Sequence, residues 1–255
     1  MYKYSILTFV FGNYECLREV GEIDPNVEYI CVTDNKDLKS NTWKIIVDRD
    51  LDGKGVFDKC FSVRYNPFKY CSTDICVRVD GSIKIHKPIN HIVEKFIESG
   101  DDVCFLIHPY RDNIPVEYHV WNMFRDFPKE KAIQHLSMFK SIGYDFNKKG
   151  FIQLNFSIVK RNKINNDINT LTYYFQKLFG NEKDIDRLDQ TTITVVLDRF
   201  FPDVKVFAVS EALLHSKYMT WCKHNSDNEI LFNMEAMIKT PHLNGKEMVY
   251  QDLIN

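Results

Sequence analysis

The sequence predicts an α/β fold with a mostly parallel central sheet flanked by helices. Three observations predict it. The early strand-like runs are continuously apolar, as strands are when helices cover both faces. Segments whose apolar residues recur at helical spacing fall between later runs. Hydrophobic residues make up 44% of the 255 and aromatic ones 14%, enough for one sizeable core.

Four strands come early: YSILTFVFG, EYICVTD, WKIIVD and DICVRVD. A helical-length piece around ECLREVGEI separates the first two. INHIVEKFIESG is amphipathic, with Ile92, Val93, Phe96 and Ile97 at helical spacing and Gly100 where a helix stop belongs. DVCFLIHP follows as a strand. VEYHVWNMFRD and KEKAIQHLSMFKSIG read as two helices, after Pro115 and Pro128. FIQLNFSIVKRN alternates like a strand, and NDINTLTYYFQKLFG is a helix. LDQTTITVVLDRFF has helical length but a β-branched run that also suits a strand. VKVFAVS is a short late strand. Residues 1–225 read as one domain. Residues 226–255, polar and weakly periodic, read as a C-terminal arm or tail that could join a homo-oligomer.

Composition narrows the partners. A net charge of −2 gives no global basic field, so no nucleic acid partner is expected. No apolar run approaches the roughly 18 residues of a membrane helix, so no transmembrane segment is expected. The opening MYKYSILTFVFGNYE fits a first strand better than a signal peptide. Seven cysteines contain no CxxC pair, and Cys31, Cys76 and Cys104 lie in apolar runs. They read as reduced, buried thiols of a cytoplasmic protein. No zinc-like spacing, P-loop, GxSxG, HExxH or GxGxxG occurs.

The chemistry-bearing anomaly is Asp80-Gly81-Ser82, which interrupts the apolar run between Val79 and Ile83. An acid at the carboxyl end of a parallel strand is where α/β folds place ligand groups. Burying it unpartnered costs several kcal/mol, so a metal ion, a ribose hydroxyl or an arginine must meet it. Gly81 lets a bulky group approach the backbone. Asp-Gly is also a strong two-residue turn signal, which would make the flanking runs the arms of a hairpin.

The order RYNPFKY, DICVRVDGSIKI, HPYR, VEYH and DQ resembles a group of glycosyltransferase-like proteins once grouped only as a domain of unknown function. More broadly, the acidic strand end resembles that of nucleotide-sugar glycosyltransferases with the GT-A fold. The resemblance runs from roughly residue 4 to 224. It implies a GT-A-like, Rossmann-like architecture and a nucleotide-sugar donor. Asp80 matches the first acid of the family's Asp-x-Asp, but Ser82 replaces the second. A hydroxyl is a weak ligand for a hard cation, which puts the implied Mg²⁺ or Mn²⁺ in doubt.

The same resemblance implies the remaining site. Thr8, Phe9 and Gly12 fall where such enzymes pass the nucleoside, and Asp34 where they meet base or ribose; a capped turn also explains Asp34. Arg64 and Lys69 would neutralise diphosphate, and are otherwise solvated charges. His108, Arg111 and Glu117 would surround the donor or acceptor pocket, with His119 beside them. His108 also suits a structural role, and Glu117 a helix start. Asp189, with Gln190, would be the reactive-site carboxylate, and is otherwise a helix cap. Among His215, Lys217 and His224, the first is the expected metal partner of Asp80, and Lys217 would ease diphosphate departure. A basic helix end explains these equally.

The expected function is transfer of a sugar from a nucleotide diphosphate sugar to a hydroxyl of a glycan or lipid-linked acceptor. Surface polysaccharide synthesis (capsule or lipopolysaccharide) is the implied setting, in the cytoplasm, with contact at the inner membrane face left open. The alternative is a non-catalytic nucleotide-sugar or glycan-binding domain on the same scaffold.

Overall fold

The computed structural model of the chain describes residues 3–108, 111, 113–118, 129–179, 189–224, 242–243 and 246–247. Its strands are β1 (Tyr4–Val10), β2 (Val27–Thr33), β3 (Lys44–Val47), β4 (Ile75–Val79), β5 (Ile83–Ile85), β6 (Val103–Ile107), β7 (Ile152–Lys160), β8 (Val206–Ser210) and β9 (Met219–Trp221). Its helices are α1 (Val56–Tyr65), α2 (Asn90–Ser99), α3 (Lys129–Ser141), α4 (Lys163–Phe179) and α5 (Asp189–Phe200).

Seven strands form one sheet in the order β3-β2-β1-β4-β7-β6-β8. Only β7 runs against its neighbours; the other pairings in this sheet are parallel. The chain goes outward from β1 through β2 and β3, then returns to lay β4 on the other side of β1. The sheet therefore reverses its winding between β1 and β4.

Alternation along β1 divides the core between two faces. Ile6 and Val10 pack in a cluster with Val93 and Phe96 of α2, whereas Leu7 and Phe9 join Val63 of α1. Ile168 of α4 and Ile193 and Leu197 of α5 cover Val103, Phe105 and Ile107 of β6. Helix α2 stops as its sequence predicts, with Gly100 left-handed at φ +71 and its N–H on the Ile97 carbonyl. Among the described residues no helix is long and apolar enough to cross a membrane.

Three expectations change. ECLREVGEI is not a helix. Its polar groups serve distant partners instead. Glu19 accepts from Ser40 Oγ at 2.7 Å and the Asn41 N–H at 3.1 Å, and the Trp43 indole donates to the Arg18 carbonyl at 2.8 Å. Tertiary bonds outweigh helix propensity there. The run around Asp80 is not a hairpin either. β4 pairs with β1 and β7, while β5 leaves the main sheet to pair with β9. Of the two readings left for LDQTTITVVLDRFF the helix is the one found: Thr194 bonds back to the Gln190 carbonyl at 2.8 Å, and Thr192 accepts from Gln176 of α4 at 2.8 Å. VEYHVWNMFRD is helical over 116–118, in a helix that begins at 114, and the rest of it lies outside the described residues, as does His119. The proposed arm also lies outside them, apart from an antiparallel pairing of His242–Leu243 with Lys246–Glu247.

Candidate active site

A cavity of about 540 Å³ opens at the carboxyl ends of β1 and β4, where the winding reverses. Open α/β sheets hold ligands at this switch point because diverging loops leave a crevice there. Phe9 and Phe11 enter the wall from the end of β1, Asp80 from the end of β4, Arg64 from the last turn of α1, and Asp189 from the first turn of α5.

Arg64 is the centre of the wall. One terminal nitrogen donates to Asp189 Oδ2 and the other to Asp80 Oδ1. Its guanidinium also lies 5.4 Å from the Phe9 ring centroid and 5.8 Å from that of Phe61. Both helix ends favour their charges: a cation suits the carboxyl end of α1 and an anion the amino end of α5. Burial opposes the Arg64 charge, but Asp80 and Asp189 outweigh it and hold its pKa above the ordinary value. Burial also pushes Asp189 up from 3.8 to about 6, against Arg64 and assisted by the charge of Asp80. Asp80 is raised as well, by burial first and by Glu15 among its neighbours, with Arg64 opposing.

The Asp80 turn is held from three sides. The Asp80 N–H donates to the Asn155 carbonyl at 3.0 Å, and the Ile83 N–H to the Asp80 carbonyl at 2.9 Å. Arg18 donates to the Gly81 carbonyl at 2.5 Å and the Lys223 carbonyl at 2.8 Å. A Cβ on Gly81 would sit 3.0 Å from Val10 Cγ1 and 3.2 Å from the Phe9 carbonyl oxygen. The close approach that Gly81 permits is thus to the protein's own β1 end. Ser82 lines the cavity beside it, and its carbonyl accepts from the Cys222 N–H at 2.9 Å.

A second group of polar side chains lines the same cavity. Arg111 pairs with Glu117, and the Arg111 N–H donates to His108 Nδ1 at 3.2 Å. Burial, with the Arg111 charge, lowers the His108 pKa to about 3, so its imidazole is neutral at physiological pH. Gln190 lines the wall next to Asp189. Its side-chain oxygen is buried without a hydrogen-bond partner among the described residues.

Of the residues expected from sequence, the cavity gathers Phe9, Arg64, Asp80, Gly81, Ser82 and His108, with Arg111, Glu117, Asp189 and Gln190. It does not gather the others. Thr8 is buried inside β1 opposite Cys31. The Gly12 N–H donates to Asp34 at 3.1 Å, and Asp34 pairs with Lys59 at 2.8 Å, so these two brace a loop. Lys69 is tied to Asp48 at 2.6 Å and Asp50 at 2.8 Å, away from Arg64. His215 bridges to Thr220, and Lys217 lies over the Tyr218 ring. The late histidine in the wall is His224, paired with Glu15 and 3.3 Å from the Tyr14 hydroxyl.

Glu15, Tyr14 and Trp221 had no distinguishing signal in the sequence. Gln153 and Asn155 did: they are polar at alternate positions of a buried strand and so share one face, with Ser157 next in line. Gln153 and Asn155 line the cavity, and Gln153 donates to Glu211 at 2.9 Å.

The donor set does not fit a divalent cation. The Asp80 carboxylate is shared with Arg64, position 82 offers only a hydroxyl, and His215 is not in the wall. Among the described residues no group of three His, Cys, Asp or Glu side chains is arranged to hold a metal.

No protein-family model and no curated relative matches the sequence. Solved structures similar to it include glycosyltransferases. One is mouse xyloside xylosyltransferase 1 in its apo form, at 11% identity and a TM-score of 0.44, covering 81% of this chain and 85% of that one. Another is the galactosyltransferase LgtC in complex with donor and acceptor sugar analogues, at 10% identity and a TM-score of 0.44, covering 84% and 79%. At such identities the chemistry of this chain rests on its own side chains.

Proposed function

We propose that the protein is a GT-A-like glycosyltransferase that moves a sugar from a nucleotide diphosphate sugar to a hydroxyl of a glycan or lipid-linked acceptor. The observation that carries this reading is the meeting of Arg64, Asp80 and Asp189 in one cavity at the sheet's switch point. Positions 64, 80 and 189 were each singled out by separate short motifs, so their convergence supports the resemblance that links those motifs.

The residues suit such a transfer. Carboxylates and amides, here Asp189, Gln190, Asn155 and Gln153, accept and donate to sugar hydroxyls. Arg64 and Arg111 are the guanidinium groups of the wall; in the free protein they are paired with Asp80 and Asp189 and with Glu117, and a departing diphosphate would compete for them. In the transfer, the acceptor oxygen forms a bond to the anomeric carbon as the bond to the diphosphate oxygen breaks. The bonding pair leaves with the nucleoside diphosphate, and the acceptor's proton passes to a carboxylate, which this reading assigns to Asp189. No step is routed through a metal ion. Surface polysaccharide synthesis on the cytoplasmic side is the setting this reading implies.

The serine at position 82 favours a second reading, a binding module without turnover. Incubating purified protein with a panel of nucleotide sugars separates the two. Release of nucleoside diphosphate, by transfer or slow hydrolysis, supports the enzyme. Ligand stabilisation with no release supports the module, and neither effect would overturn both.

A further inference from the structure

We propose that Arg78 is a positioning residue for this site: it locks the backbone of Arg64 and supplies the second positive charge that balances Asp80 and Asp189. Its effect on turnover rests on the glycosyltransferase reading; its effect on the two carboxylates does not.

Arg78 sits on β4, two residues before Asp80, and is only 2% exposed. Its Nη1 donates to the Arg64 carbonyl oxygen at 2.9 Å and to Asn169 Oδ1 of α4 at 3.1 Å. Its Nε donates to Ser157 Oγ of β7 at 2.9 Å. Its Nη2 has no hydrogen-bond partner among the described residues, and no carboxylate pairs with it among them. A fully buried guanidinium without a counter-ion is costly, and burial lowers its pKa to about 10. Its three hydrogen bonds to neutral acceptors meet part of that cost, and no paired carboxylate among the described residues meets the rest.

The offset lies one layer up. Asp80 and Asp189 share a single guanidinium, which leaves one negative charge in excess beside Arg64. Arg78, bonded to the Arg64 backbone and two residues before Asp80 on the same strand face, is the next buried cation from this group. Its bond to the Arg64 carbonyl also occupies an orphan acceptor at the carboxyl end of α1, which fixes where the Arg64 side chain starts. Tyr65 of α1, Cys76 of β4 and Cys71 before it are the other titratable groups around Arg78, all buried; Cys60 lies by Arg64, and Glu15 and His224 by Asp80.

The test uses the free protein first. The side-chain carboxyl of Asp189 is followed by carbon NMR against pH in wild type, Arg78→Met, Arg78→Lys and Asn169→Asp. Arg78→Met removes the charge and keeps the stem. Asn169→Asp keeps Arg78 and its bond to Arg64 but cancels the charge, and serves if Arg78→Met fails to fold. The expected result is an Asp189 titration raised by at least about half a unit in Arg78→Met and in Asn169→Asp, and restored in Arg78→Lys. Unchanged titration in the first two variants overturns the proposal. Nucleoside diphosphate binding (ADP, CDP, GDP and UDP), measured on the same variants, then reads the functional consequence. Absence of binding by the wild type would count against the glycosyltransferase reading while leaving the carboxyl titration to decide the role of Arg78.

Discussion

Arg64 and Asp189 stand 125 positions apart in the chain and form an ion pair in the wall of a single cavity. The pair joins the carboxyl end of α1 to the amino end of α5, and through Asp80 both are joined to the end of β4. Three elements from different parts of the fold therefore depend on one guanidinium.

Removing that guanidinium strands two carboxylates. Arg64→Met is expected to destabilise the fold by about 3–5 kcal/mol, the usual cost of breaking one side of a buried pair. Arg64→Lys keeps the charge but cannot span both acids, and should fall between wild type and Arg64→Met. Urea unfolding of the three proteins checks the order, and equal midpoints would show that the pair contributes nothing.

If the protein transfers sugars as proposed, the acid limb of its activity is expected to follow Asp189. Its pKa, raised from 3.8 to about 6, means the folded state holds a proton that the unfolded chain has released. Its contribution to stability is thus full below about pH 3.8 and lost as pH rises through 6. Activity runs the other way, because accepting a proton or a hydroxyl hydrogen requires the carboxylate. Rate against pH should rise through an apparent pKa of about 6 that belongs to the Asp80–Asp189 pair together. A profile without an inflection between pH 4 and pH 8 would speak against that role.

Metal alone should do nothing to the free protein. Asp80 is occupied by Arg64 and has only Ser82 beside it in place of a second acid. Millimolar Mn²⁺ or Mg²⁺ without nucleotide is expected to leave the thermal midpoint where it was. A rise that disappears in Asp80→Asn would reveal a cation site at this position.

Gly81→Ala is expected to cost about 1–3 kcal/mol, since the new methyl must displace Val10 or the Phe9 carbonyl. The loss should be larger for ligand binding than for folding, because the displaced atoms form the cavity wall. Calorimetry with the best nucleotide, on both proteins, compares the two. Unaltered affinity would mean the turn tolerates the side chain.

Much of the sheet was legible because period-two and continuously apolar runs report burial directly, as in YSILTFV and VEYICVT. The site was legible where charge interrupted such runs, at Asp80, or opened a helix, at Asp189. It was misread where a charge is spent on a neighbour that sequence cannot show. Lys69 looked like a phosphate ligand and is held by Asp48 and Asp50. His215 was the favoured late histidine from sequence, yet the one that lines the cavity is His224. Arg18 lies in a piece read as helical, yet its partners include the distant backbone carbonyls at 81 and 223, which no local pattern reveals.

Two tryptophans lie near the turn that Arg18 clasps. Trp43 hangs from the Arg18 carbonyl, and Trp221, at the register position opposite Ile83, faces the cavity. An occupant of the cavity would lie against Trp221, so a change in tryptophan emission on adding ligand is expected without attaching a dye.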